Sequence, residues 1–161
     1  EAVKIPVVGA GGIYDGRGLA AALALGADGV WMGTRFIATP EAQAVPGYKD
    51  VLLGLAEDGT VVTRAFTGKT CRVARNAYTQ AFEDEGGVAQ PFPGQVIKSM
   101  QDGANHLGGD ESTQGVDPTI EFMPMGQGAG AIDELVPAAD LVARFVAEAE
   151  ATIDRLTALR P

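Results

Sequence analysis

Two short apolar runs, Ile5-Pro6-Val7-Val8 and Val30-Trp31-Met32, each pass into glycine, and the polar residues between them fall where a helix would start and stop. The first run continues as Gly9-Ala10-Gly11-Gly12-Ile13. Asp15 then opens an alanine- and leucine-rich segment that closes at Gly26, and Ala27-Asp28-Gly29 leads into the second run, which ends in Gly33-Thr34-Arg35-Phe36. An Asp start signal, a Gly stop and flanking apolar runs predict strand, helix, strand, a parallel βαβ unit. Parallel neighbours carry their C-terminal ends to one sheet edge, so Gly11-Gly12 and Gly33-Thr34 should arrive there together. Turns without side chains expose backbone N–H groups, which suits a phosphate.

Beyond Phe36 the pattern loosens. Thr39-Pro40-Glu41-Ala42 predicts a helix start with Pro in the first turn, and Tyr48 to Ala56 predicts a helix that Gly59 stops. Thr60 to Phe66 is short and β-rich. From Glu83 to Gln127 the chain is heavy in Gly, Pro, Asp and Gln, with one helix expected around Gln95 to Ala104. The last predicted element is an amphipathic helix. Its stripe of Val142, Phe145, Val146, Ala149, Ile153 and Leu156 recurs every three or four residues and is expected to pack on the wall of the domain, left partly exposed where that wall is missing.

Gly9 and Gly11 also supply the first two glycines of a dinucleotide-binding G-x-G-x-x-G fingerprint. The third position is Tyr14, however, and the strand that should end in an acidic residue ends in Met32-Gly33-Thr34. Gly-Ala-Gly-Gly-Ile, the Asp15-Gly16-Arg17-Gly18-Leu19 helix start and Met32-Gly33-Thr34-Arg35-Phe36 together resemble the penultimate and last strands of the nitronate monooxygenase family, formerly the 2-nitropropane dioxygenases. Thr67 to Asn76 and Gly126-Gln127-Gly128-Ala129-Gly130 resemble further family segments. Inosine-monophosphate dehydrogenases share a similar Gly-Gly turn; the Met-Gly-Thr-Arg-Phe ending favours the nitronate monooxygenases.

The resemblance implies an FMN-dependent TIM-barrel enzyme with the flavin phosphate on the loops after the last two strands. Ala10, Gly11 and Gly12 would lie on one side of the phosphate, with Gly33 and Thr34 on the other. Gln127, between two glycines, would make a further flavin or substrate contact. A complete (β/α)₈ barrel takes about 250 residues, and these 161 residues contain two convincing barrel strands. The expected fold is therefore α/β: the C-terminal part of an FMN-binding TIM barrel with an inserted, mostly helical lid domain. Residues 1–45 would hold the last two strands, 46–132 the lid and 133–161 the closing helix.

A net charge of −9 without a basic cluster argues against nucleic acid or a membrane surface as partner and leaves a small molecule. One cysteine excludes an internal disulfide, and a cytoplasmic setting is expected. No metal-ligand spacing is visible, so no metal is expected. His106, the one histidine, lies outside the family's catalytic context; the resemblance puts the histidine base upstream of Glu1, and no catalytic residue is assigned here. Cys71 reads as an ordinary thiol despite adjacent Arg72. Lys69, Arg72 and Arg75 could meet an anion or offset nearby carboxylates.

The expected activity is FMN-dependent oxidation of alkyl nitronates to a carbonyl product and nitrite. Two alternatives share the cradle: an NAD(P)H-dependent FMN reductase acting on an enone or enoyl thioester, and a non-catalytic FMN-phosphate-binding half of a split barrel. Partners would be the missing N-terminal barrel portion, a small substrate (nitronate, enone or acyl thioester) and, as an option left open, a second copy of the chain.

Overall fold

The computed structural model describes residues 3–159. Strand β1 (Val8–Ala10), helix α1 (Gly16–Ala24) and strand β2 (Gly29–Trp31) form the expected βαβ unit, with Val8 opposite Gly29 and Ala10 opposite Trp31 in parallel register. Asp15 caps α1 by accepting from the Gly18 N–H at 2.8 Å, and Gly26 takes up φ +95° just past its end. Both are the start and stop the residues announce. Among the described residues the pair has no further strand beside it, and Val8 and Trp31 are exposed, Trp31 by 73 %.

The expected helix start at Thr39-Pro40 is a turn instead. A short helix, α2 (Thr34–Ile37), follows β2 directly, and the Thr39 hydroxyl donates to the Phe36 carbonyl at 2.8 Å. Thr39 thus closes one helix rather than opening another. Helix α3 (Tyr48–Leu53) is shorter than expected because Gly54, not Gly59, ends it.

Residues 46–132, expected to be mostly helical, are mixed. Strands β3 (Thr60–Thr63) and β4 (Cys71–Ala74) form an antiparallel pair, accompanied by α3, α4 (Ala77–Asp84) and α5 (Gly94–Gln101). Helix α4 starts from a reciprocal cap: the Asn76 side chain accepts from the Thr79 N–H, and the Thr79 hydroxyl accepts from the Asn76 N–H, both at 3.0 Å. Helix α5 stops at Gln101 because Gly103, at φ +72°, turns the chain. The extended residues 123–125 lie along β4: the Ala74 N–H donates to the Met123 carbonyl at 3.0 Å and the Met125 N–H to the Arg72 carbonyl at 3.2 Å.

Two apolar clusters hold these pieces. Leu52, Met123, Met125, Ala129 and Ile132 pack with Ala38 and Val45, and so join α3 to the segment after β2. Phe66, at the centre of the other cluster, packs against Tyr78 and Phe122 with ring centroids 5.0 and 4.8 Å away.

Helix α6 (Ala138–Thr157) packs on α1, but the expected stripe divides. Leu141, Phe145 and Ala149, spaced four apart, are buried, whereas Val142, Val146, Ile153 and Leu156 are about half exposed. The contact line runs one residue round the helix from the predicted face. Gly16 sets it: its Cα lies so near α6 that a β-carbon there would sit 2.4 Å from the Phe145 carbonyl oxygen. Among the described residues no helix is long and apolar enough to cross a membrane.

Candidate functional site

Three glycine-bearing segments meet at the C-terminal edge of the β1–β2 pair. The first is the turn after β1, where Gly11 (φ +102°) and Gly12 (φ +70°) hold backbone conformations that L-residues avoid. The second is Gly33, which leads from β2 into α2. The third, Gly126-Gln127-Gly128, is delivered by residues 123–125 running along β4.

Close packing fixes their mutual positions. The Gly126 N–H donates to the Thr34 hydroxyl oxygen at 2.8 Å, clamping the third segment to the second. A β-carbon on Gly128 would lie 2.9 Å from the Tyr14 ring and 3.2 Å from the Gly12 carbonyl oxygen, so only glycine permits that approach to the first. Together Gly11, Gly12, Gly33, Thr34, Gly126 and Gly128 bound a pocket of about 100 Å³. Within the described residues, the N–H groups of Gly11, Gly12, Gly33 and Thr34 donate to no other protein group. A small pocket rimmed by unpaired backbone donors, with no carboxylate on its wall, is chemically suited to a phosphate.

Of the residues picked out in the sequence, Gly11, Gly12, Gly33 and Thr34 line this pocket. Gln127 stands exposed at its edge, its side chain 3.4 Å from where a Gly12 β-carbon would be. Ala10 is the last residue of β1 and is paired with Trp31, one step short of the turn. Neither the Thr34–Gly126 clamp nor the part played by Arg35 is legible in the residues alone. The Arg35 guanidinium is buried beside the pocket and donates to the Ala38 and Glu134 carbonyls at 3.4 and 3.1 Å. Burial lowers its pKa from the usual value.

The basic residues do not gather here. Lys69 sits 4.1 Å over the Phe92 ring, and Arg72 donates across the hairpin to the Thr60 hydroxyl at 2.9 Å. Arg75 is exposed. Burial pushes the Cys71 thiol up, away from the thiolate a nucleophile needs. The described residues hold no group of His, Cys, Asp and Glu able to bind a metal.

Tyr48 supports the third segment from below. Its hydroxyl donates to the Pro124 carbonyl, and burial raises its pKa. Tyr48→Phe is expected to lower unfolding free energy by about 1 kcal/mol, one hydrogen bond's worth. A urea melt measures it, and an unchanged midpoint would show that the bond carries no load.

A parallel strand pair with glycine turns meeting at one edge defines an α/β protein with a small pocket at that edge. The chain belongs to the nitronate monooxygenase family, whose profile matches residues 1–148. A "Probable nitronate monooxygenase" of Staphylococcus aureus is 37% identical over 115 residues, which is 70% of this chain and 32% of that protein. FabK from Thermotoga maritima superposes with a TM-score of 0.77 and 33% identity, covering 98% of this chain and 48% of that one. Nitroalkane oxidase from Streptomyces ansochromogenes follows with a TM-score of 0.74 and 34% identity, covering 96% of this chain and 42% of that one. The chain thus spans between a third and a half of the length of these relatives.

Proposed function

We propose that the chain is the C-terminal part of an FMN-dependent TIM-barrel oxidoreductase that oxidises alkyl nitronates, and that its glycine turns hold the flavin phosphate. The observation carrying this reading is the convergence of Gly11-Gly12, Gly33-Thr34 and Gly126-Gln127-Gly128 on one pocket with unpaired N–H donors. Two of the relatives' names, nitronate monooxygenase and nitroalkane oxidase, support the reaction. FMN, when bound, supplies the electron-transfer chemistry of the oxidation.

The residues of this chain bind and orient. Backbone N–H groups of Gly11, Gly12, Gly33 and Thr34 would donate to the phosphate, and the Thr34 hydroxyl, whose oxygen already accepts from Gly126, keeps its own proton to donate. Gln127 at the edge offers an amide to the flavin or the substrate. In this proposal 1–45 carries the last two barrel strands, 46–132 covers the flavin, and α6 closes the barrel wall. For a neutral nitroalkane, the base that takes its α-proton to make the nitronate would come from the remainder of the relatives' length.

The test is an assay of the full-length gene product with an alkyl nitronate under air, and separately with NAD(P)H and an enoyl thioester. Nitrite release without NAD(P)H consumption is the expected result; the reverse outcome would replace the oxidation by the reductase reading. The 161 residues alone are expected to release no nitrite, since bound phosphate by itself leaves the reacting carbon unpositioned.

A further inference from the structure

A second cavity, of about 250 Å³, opens between α3, the turn after α5 and residues 121–124, and shares no lining residue with the glycine pocket. Val45, Tyr48, Leu107 and Phe122 give it an apolar body; Asn105 and His106 give it a polar end. That size exceeds the ~150 Å³ of an apolar cavity known to take benzene.

The polar end is built rather than incidental. Glu121, 2 % exposed, uses both carboxylate oxygens on one residue: Oε1 accepts from the His106 backbone N–H at 2.9 Å, and Oε2 lies 2.6 Å from His106 Nδ1. A carboxylate at Nδ1 fixes the ring orientation and keeps the Nδ1 proton in place. Nε2 is then the free nitrogen, with no hydrogen bond among the described residues. Asn105, the preceding residue in the chain, is 3 % exposed, and its amide nitrogen is committed to the Ser99 hydroxyl at 3.0 Å. Its Oδ1 is buried with no partner. That oxygen is sealed from the cavity, so His106 Nε2 is the acceptor left for a ligand.

We propose that this cavity is a binding site, distinct from the flavin cradle, for a small hydroxyl-bearing aromatic of the phenol class. Its ring fills the space among Val45, Tyr48, Leu107 and Phe122. Its hydroxyl donates to the free Nε2 of His106. An aromatic lacking the hydroxyl leaves Nε2 unmet.

The full-length gene product, ¹⁵N-labelled at histidine, is titrated with phenol, anisole and toluene, the His106 ring being recognised by its Nδ1–H held to the Glu121 carboxylate. A saturable Nε2 shift is expected with phenol and none with toluene, with anisole, which cannot donate, binding about tenfold more weakly. His106→Asn, whose amide nitrogen takes the place of Nδ1 beside Glu121, should weaken phenol binding about tenfold. The wild-type comparison stands even if that variant fails to fold. Equal shifts with phenol and toluene, or no saturable shift with phenol, would overturn the proposal.

Discussion

Gly33→Val in the full-length gene product is expected to fold as wild type and to lose FMN. Gly33 has φ −106°, which any residue adopts, and a β-carbon there would meet no protein atom within 4 Å. Two branched methyl groups would instead occupy the space in front of its N–H, where the phosphate is proposed to sit. Loss of several charge-assisted donors at once predicts at least about a hundredfold fall in affinity. Flavin absorbance of the purified variant and a fluorescence titration measure it. Gly12 could not be used in this way: at φ +70° a valine is strained whatever lies nearby, so folding and binding would fail together. Undiminished flavin in Gly33→Val would move the phosphate elsewhere.

Gly16→Ala should produce the largest loss of stability. Alanine favours a helix over glycine by about 1 kcal/mol, so propensity alone predicts a more stable protein. Contact decides otherwise. The new β-carbon would lie 2.4 Å from the Phe145 carbonyl oxygen, 2.5 Å from Glu148 Cβ and 2.7 Å from the Ala149 nitrogen. Two of these are backbone atoms and cannot rotate aside, so α1 and α6 must part. That separation also stretches the 2.8 Å hydrogen bond from the Gly16 N–H to Glu148 Oε2. A net destabilisation of about 3 kcal/mol is expected, read as a lowered midpoint in thermal or urea unfolding. A variant as stable as wild type would mean that the helix pair yields at this contact.

The βαβ unit was legible because its signals are local: Asp15 caps, Gly26 stops, and the apolar runs on either side are short and bounded. The glycine turns were legible for the same reason, and parallel pairing then brings them together. What escaped depends on distant partners. Strand β4 needs β3 on one edge and Met123 to Met125 on the other, so Cys71-Arg72-Val73-Ala74 carries no strand signal of its own. Helix α4 could have been found from Asn76, its cap partner Thr79, and Tyr78 and Phe82 four apart. Thr39 misled because a Thr before Pro reads as a start, while its hydroxyl was needed by the carbonyl behind it. On α6 the even spread of apolar residues left the choice of face to Gly16, 129 positions before Phe145 in the chain, where a missing side chain lets the two helices touch. The Thr34–Gly126 clamp spans 92 residues and could not be read from either segment alone.

The central claim, that the three glycine segments hold a flavin by its phosphate, is tested most directly by comparing FMN with riboflavin, which differs only in lacking that group. Fluorescence quenching of both by the full-length gene product gives the two dissociation constants. FMN is expected to bind at least about a hundredfold more tightly, and Gly33→Val should erase that difference. Equal affinities for FMN and riboflavin in the wild-type protein would contradict the account.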